Sequence, residues 1–308
     1  MYMKKTLILL VLKSVAVALC VTALVSSLIH LIPGDPVDQI LGDFASLEEK
    51  EQLRERLGLS LPLFVQFFSY ISGIMKGDLG NSLIYGRPVF DMLIERFPST
   101  VELALLSMSF ALAFSLPLGL MSAKKIGTWL DHVIRTASLI GIAIPNFWLG
   151  PLLIIVFSLK LNLLPVSEKS TLISYILPAL TLGMALSAFL TRITRSSLVS
   201  TLNADYIRTA RAKGASEWDV FSKHALKNAL LPVVTVSGLQ LGVLMTGAII
   251  TEKIFDWPGV GSLLLEGIHN RDYPIVQSAV LMFSLTYITI NLVTDTIYGW
   301  IDPRIQRK

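Results

Sequence analysis

Long apolar runs alternate with short polar stretches along most of this chain, on the scale of a membrane. A helix crossing the hydrocarbon layer needs roughly 20 consecutive apolar residues. Six segments meet that length, at about 9–32, 101–121, 136–159, 173–190, 233–250 and 276–298. Pro117, Pro145, Pro151 and Pro178 fall inside these runs, where neighbouring helices can satisfy the carbonyls that a proline frees. The pattern predicts an all-α integral membrane protein with six transmembrane helices. Two larger polar stretches interrupt it: 33–98 after the first run, and 203–232 between the fourth and fifth.

The 203–232 stretch carries two sets of helix start and stop signals. Asn203 is predicted to be an N-cap, with Asp205 in the first turn, where the helix dipole favours an acid. Val199, Leu202, Tyr206 and Ala210 recur at helical spacing and form one apolar stripe. Gly214 ends this helix, because the residue past a helix C-terminus often needs positive φ. Ser216 and Asp219 match the capping box that restarts a helix, and Trp218, Phe221 and Ala225 give it an apolar face. Pro232 suits the start of the next span. Two short helices joined at a glycine also describe a helix-turn-helix, and Arg208, Arg211, Lys213, Lys223 and Lys227 are basic. The flanking spans hold this hairpin at a membrane surface, however, which argues against a nucleic-acid partner. Nothing in lipid requires such an insert, so it reads as a docking element for a soluble protein. The competing reading is a solvated loop whose basic residues only set topology.

The 33–98 stretch follows the same grammar. Ser46 and Glu49 form a capping box and Gly58 ends the helix. Ser60 and Pro62 open a second helix running through Phe64, Phe67, Phe68, Ile71 and Met75 to Gly77. That aromatic face is expected to pack on the membrane domain. The insert carries ten acids against six bases. It is read as lining the mouth of a pathway and helping to receive a binding protein, with plain structural packing as the alternative.

Composition agrees with a membrane class: 53% of residues are hydrophobic and 16% charged, against about 25% charged in soluble domains. Mean hydropathy is +0.65. Lysine and arginine fix the orientation. Fifteen fall on the side of both termini and the 203–232 hairpin, while the short loops opposite hold four, Lys160, Lys169, Lys253 and Arg271. Termini and hairpin are therefore expected in the cytoplasm. The net charge of +4 needs no nucleic acid to explain it. Lys4 and Lys5 before an apolar run resemble a signal peptide, but the run is too long and no small-x-small cleavage site follows, so an uncleaved first span is expected. Lys13 can snorkel from that span. Leu19 before Cys20 is a poor lipoprotein signal, and a lone cysteine makes no intrachain disulfide or metal cluster.

The chain lacks the chemistry of catalysis. It has no G-x-x-x-x-G-K-[ST] and no Gly-Lys pair at all, hence no loop to cradle ATP phosphates. Gly238 and Gly242 form a G-x-x-x-G face suited to close helix packing. The four histidines, His30, His132, His224 and His269, show no metal-ligand spacing. Polar residues in or near spans, Asn146, Gln240, Asn291 and Asp295, are candidates for pathway or inter-helix contacts.

The run Asp-Tyr-Ile-Arg-Thr-Ala-Arg-Ala-Lys-Gly at 205–214, followed by His224, Lys227, Asn228 and Pro232, resembles the EAA loop of permease subunits in ABC importers, above all those of the dipeptide, oligopeptide and nickel branch. Where the wider superfamily has Glu-Ala-Ala, this chain has Arg208-Thr209-Ala210, keeping the second alanine and Gly214. The resemblance extends through Pro33-Gly34-Asp35-Pro36, Leu57-Gly58-Leu59, Gly77-Asp78-Leu79-Gly80, Pro258-Gly259-Val260-Gly261, Arg271-Asp272-Tyr273-Pro274 and Asp302-Pro303-Arg304. It implies the type I importer permease fold. In that frame, 1–32 holds the N-terminus and first span, 33–98 an extracytoplasmic helical insert, and 99–300 a transmembrane domain of five helices. A coupling hairpin occupies 196–232 and a cytoplasmic tail 301–308. The resemblance further implies a homologous second permease, two ABC ATPases carrying ATP and magnesium, and an extracytoplasmic substrate-binding protein, in a bacterial or archaeal cytoplasmic membrane. This chain itself would bind no cofactor. ATPase contacts are expected at Asp205, Tyr206, Arg208, Ala210, Arg211, Lys213, Gly214, His224, Asn228 and Pro232. Short peptides are the substrate class it implies first, nickel or a metal chelate second. An ion-coupled carrier or channel is the alternative of another class. Such proteins place ionisable groups at mid-membrane, whereas Glu102, Glu252 and Asp295 lie near span ends. A membrane enzyme is disfavoured by the missing acid–base or metal constellation.

Overall fold

The computed structural model describes residues 16–27, 35–42, 45–166, 169 and 171–301, with only the backbone described at 247 and 298–301. The expected N-terminal part of the first span, the Pro33-Gly34 pair and the 302–308 tail lie outside these residues. Helices dominate, and the only extended pairing among the described residues is a bridge between Asn81 and Pro88. The chain divides into two compact units, Met1–Thr100 with Pro258–Ile288, and Val101–Trp257 with Thr289–Lys308.

The first unit contains α1 (Ala16–Ser27), α2 (Pro36–Leu41), α3 (Leu47–Arg56), α4 (Leu63–Met75), the start of α5 (Val89–Lys124), α13 (Val260–His269) and the start of α14 (Tyr273–Ile301). Local signals set its helix ends. Asp35 caps α2 by accepting the Val37 N–H at 2.8 Å, and Arg54 of α3 pairs with the same carboxylate. Burial pushes the Asp35 carboxyl up, but the Arg54 guanidinium and the Val37 N–H outweigh it, leaving it below the usual range. Ser46 and Glu49 form the expected reciprocal cap, and Gly58 ends α3 with φ +69°. The Tyr70 hydroxyl of α4 meets Ser278 Oγ on α14 at 3.0 Å. Buried Asp272 accepts from Ser82 Oγ at 2.5 Å and from the Ile84 N–H at 3.2 Å, pinning the loop before α5.

The expected packing of the α4 aromatic face is met only in part. No residue of α4 is buried, and Phe64, Phe68 and Met75 are 65%, 66% and 84% exposed. The predicted stripe is too wide for one neighbour. The side holding Phe67, Tyr70 and Ile71 turns inward, and the rest of the stripe faces out.

The second unit takes the rest of α5, then α6 (Trp129–Ala143), α7 (Asn146–Leu153) with a π-helical turn at Ile154–Lys160, and α8 (Ile176–Leu202). After these come α9 (Asp205–Ala212), α10 (Glu217–Asp219) with a π-helical turn at Val220–Ala225, α11 (Leu226–Gly247), α12 (Ile249–Ile254) and the end of α14. Its core gathers Leu103 and Met108 of α5, Leu182, Leu186 and Leu190 of α8, Met245 of α11 and Trp257. The α8 span is 56% buried against 28% for the α11 span, so α8 is the central post. Small residues let helices approach closely. A Cβ on Gly119 of α5 would lie 2.6 Å from the Thr194 Cβ of α8, and one on Gly238 of α11 would collide with Thr294 of α14, which supports the packing reading of that glycine face.

Among the described residues, four helices are long and apolar enough to cross a membrane, Val89–Lys124, Leu172–Leu202, Glu217–Thr246 and Tyr273–Ile297. Of the predicted first span only α1 is described. The predicted 136–159 span is not a single helix: α6 and α7 meet at a bend of 99°. Pro145 is the cause, because a residue before proline is driven out of the helical region, and Ile144 has φ −80°, ψ 118°. Pro232, expected at a span's start, instead lies inside α11.

Candidate docking site

The hairpin between α8 and α11 is supported from inside. Ile207, Val220 and Ala225 are fully buried and cluster with Leu198 of α8, Ala123 of α5 and Ala229 of α11. Full burial of an isoleucine of this kind contributes about 1.5–3 kcal/mol. Two polar contacts brace the limbs: Asn228 Nδ2 donates to the Tyr206 hydroxyl at 3.0 Å, and Ser197 Oγ donates to the Ala229 carbonyl at 2.8 Å.

The turn forms where glycine was expected. Gly214 has φ +84°. Its N–H bonds the Arg211 carbonyl at 2.9 Å, and the Ala215 N–H bonds that of Ala210 at 3.2 Å, the paired bonds of a Schellman end. Ser216 then caps α10 by accepting the Asp219 N–H at 3.2 Å. Arg211 closes the turn with two bonds to the Glu217 carboxylate, at 2.8 and 3.2 Å.

Three readings of the hairpin need correction. Asn203 is no N-cap, since α8 stays helical through Leu202 and Asn203 itself has φ −91°, ψ −1°. Its amide bonds back to the Val199 carbonyl at 3.1 Å, and Ala204, with no side-chain acceptor, precedes α9. Tyr206 is 44% exposed, and the buried position beside it is Ile207. Trp218 is 69% exposed, because Val220 and Ala225 set the inward side of the second limb. Lys124 lies 3.9 Å from the Phe221 ring centroid and 5.8 Å from that of Trp218.

The remaining predicted residues share the outer surface. Asp205 and Arg208 have side chains 98% and 76% exposed, 3.7 Å apart. Arg211, Lys213, His224, Asn228 and Pro232 are exposed, while Ala210 packs against the internal cluster. The hairpin thus offers a mixed-charge face with two exposed rings, Tyr206 and Trp218, on a backbone fixed from behind.

Of the four polar span candidates, the structure brings two together. Asn146 of α7 and Gln240 of α11 line one cavity of about 300 Å³ with Ile142, Leu186, Phe189 and Val243. Asn146 Oδ1 is buried and accepts no hydrogen bond, as is Asn291 Oδ1 on α14. Asn291 and Asp295 lie outside that cavity. Sequence reasoning missed two ion pairs. Lys169 bonds Glu102, which also accepts from the Tyr175 hydroxyl at 2.7 Å, and Arg195 grips Asp131. Their partners lie 64 or more residues apart, so no local spacing reveals them. Among the described residues, no group of three His, Cys, Asp or Glu side chains could hold a metal ion.

Comparison with known proteins covers nearly the whole chain. The family described as "Binding-protein-dependent transport system inner membrane component" matches residues 115–307, and its N-terminal companion matches 3–104. The "Glutathione transport system permease protein GsiC" of Escherichia coli (strain K12) is 46% identical over 288 residues, 94% of each chain. Its Salmonella choleraesuis counterpart is 46% identical over 290 residues, 94% of this chain and 95% of that one. In fold, the chain is similar to the MetNI methionine ABC transporter in an inward-facing conformation. The TM-score is 0.58 at 17% identity, over 69% of this chain and 97% of that one. An amino acid ABC transporter gives 0.54 at 13% identity, over 70% and 94%.

Proposed function

This chain belongs to the family of binding-protein-dependent transport system inner membrane components, as a non-catalytic, multi-pass permease subunit of an ABC importer of the inner membrane, and from that premise we propose how it works. Its 203–232 hairpin is the docking element for a separate ATPase, on the cytoplasmic side with both termini. The observation that carries this is the construction of the hairpin: an exposed face with Trp218, Arg208 and Lys213, held from behind by Ile207, Val220 and Ala225. Membership of the family sets aside the ion-coupled carrier.

The chain forms half of a translocation pathway, and a homologous second permease forms the other half. Two ATPases bind ATP and magnesium, and this chain holds no cofactor. When the ATPases close, they displace the hairpins, and the spans switch between outward- and inward-facing states. Asn146 and Gln240 face the solute or the partner across their shared cavity, where the unbonded Asn146 oxygen is an acceptor without a protein donor. A binding protein delivers the solute, and the 33–98 insert helps to receive it.

Short peptide-like solutes are the substrate class, supported by the glutathione named for the relatives. Nickel chelates are a second reading, through the branch the sequence resembles. Purifying the binding protein that delivers solute to this permease and identifying its ligand by mass spectrometry decides between them, and a metal chelate there overturns the peptide reading. The chain purified alone is expected to show no ATP hydrolysis, and turnover by the single chain would overturn the division of labour.

A further inference from the structure

The first limb of the hairpin continues from α8, and near that end one buried ion pair ties α8 to α6. Asp131, in the first turn of α6, is 0% exposed. Its carboxylate accepts two bonds from Arg195 of α8, from Nε at 2.7 Å and Nη2 at 2.8 Å. It also accepts from Ser122 Oγ of α5 at 2.5 Å and from the Gly127 N–H of the α5–α6 turn at 3.0 Å. Three helices and one turn therefore meet on a single carboxylate.

Stability alone does not account for this arrangement, since well-packed apolar residues commonly hold helices as well as a buried ion pair does. A bidentate fork adds direction. Apolar contacts tolerate small slides, whereas two parallel N–H bonds fix both the angle and the register of the groups they join. The surroundings remove other freedom. One residue before Arg195, Thr194 sits against Gly119 of α5 at a distance that excludes any side chain. Three residues after it, Leu198 enters the buried cluster that carries Ile207 and Val220.

We propose that Asp131 and Arg195 are positioning residues, a clamp that carries displacement of the hairpin into α5 and α6. Without it, movement at the docking face would flex the base of the hairpin and leave α6 behind. The inference rests on the reading of the hairpin as an ATPase dock.

The test uses the assembled importer in vesicles, with spin labels on cysteines at Thr209 of α9 and Trp129 of α6, both exposed. Magnesium ATP is the probe, so no solute need be known. In the wild type both labels shift on nucleotide binding. In Arg195→Lys, which keeps the charge and loses the fork, the ATPases stay bound and the Thr209 label still shifts. The Trp129 label shifts in about a fivefold smaller fraction of molecules, the lower end of ordinary coupling between sites. The doubly neutral Asp131→Asn/Arg195→Gln variant removes any unpaired buried charge and is expected to assemble while staying uncoupled. A wild-type response of the Trp129 label in either variant overturns the clamp, as does loss of both shifts in proportion to lost assembly. ATPases that fail to associate with the wild-type chain overturn the docking reading itself, and the clamp with it.

Discussion

The hairpin and the α3–α4 part of the 33–98 insert are built on opposite plans. The hairpin puts Ile207, Val220 and Ala225 wholly inside and joins its second limb to α11 without a break. In the 33–98 insert, α3 and α4 bury no residue, and their order comes from caps, turn glycines and single polar contacts such as Tyr70 to Ser278. The difference matches the work proposed for each. An element that transmits force needs a back that does not yield, whereas a receiving surface can stay soft and keep its apolar side chains outside. Exposed rings such as Phe64 and Phe68, close in sequence on α4, are suited to contact with a partner.

The largest contrast expected is one of sidedness. A cysteine at Leu47, 86% exposed on α3, should react with a membrane-impermeant maleimide added outside the inner membrane. One at Arg208, whose side chain is 76% exposed, should not. The basic asymmetry between the loops motivates this, and the opposite labelling would invert the protein.

Burial gives the next contrast. Ile207→Ala should destabilise the hairpin by about 2–5 kcal/mol and reduce ATPase retention on purification. Phe64→Ala in α4 should change thermal stability by no more than about 0.5 kcal/mol. Equal losses at the two sites would mean that the hairpin is no more internally supported than the insert.

Gly214→Val is expected to act through the backbone alone, because a Cβ there would meet nothing within 4 Å. Holding a β-branched residue at φ +84° costs roughly 1–2 kcal/mol, so the hairpin should re-angle and not collapse. ATP turnover should persist while uptake per ATP falls. Wild-type uptake and coupling would reduce the turn to a passive connection.

How much of this could be read from the sequence follows the range of each interaction. Caps and stops act over three or four residues, and Ser46 with Glu49, Ser216 with Asp219, Gly58 and Gly214 all stand where the sequence signals them. Which face of a helix turns inward depends on what arrives from elsewhere in the chain. Spacing alone therefore points to Tyr206 and Trp218 where the fold buries Ile207 and Val220, and to the whole α4 stripe where only its inner half turns in. Pro145 shows a competition of local rules, in which apolarity predicts a continuous span and the restriction before proline breaks it. Asp131 and Arg195 stand 64 residues apart and carry no motif, so the clamp emerges only when α6 and α8 are side by side.

The smallest effect expected is at the cap of α3, and it tests whether the insert is held by local order. Ser46 Oγ accepts the Glu49 N–H at 3.2 Å, and the Glu49 carboxylate accepts the Ser46 N–H at 2.8 Å. The backbone bond from Ser46, joined by its hydroxyl, holds the Glu49 carboxyl below the ordinary glutamate range. A lowered value means that the ionised carboxylate favours the folded cap. That contribution is fully present above the unfolded value and is lost as pH falls through the lowered one. Amide protection at Glu49 and Lys50, measured by hydrogen exchange and corrected for the intrinsic rate, should therefore decline only in acid. Ser46→Ala should lower it at all pH values, by about 1 kcal/mol. Glu49→Gln keeps an acceptor at the same place and should flatten the acid decline without abolishing protection. A wild-type profile as flat as that of Glu49→Gln would show that α3 is ordered by contacts beyond its own cap, and the contrast between the two regions would narrow.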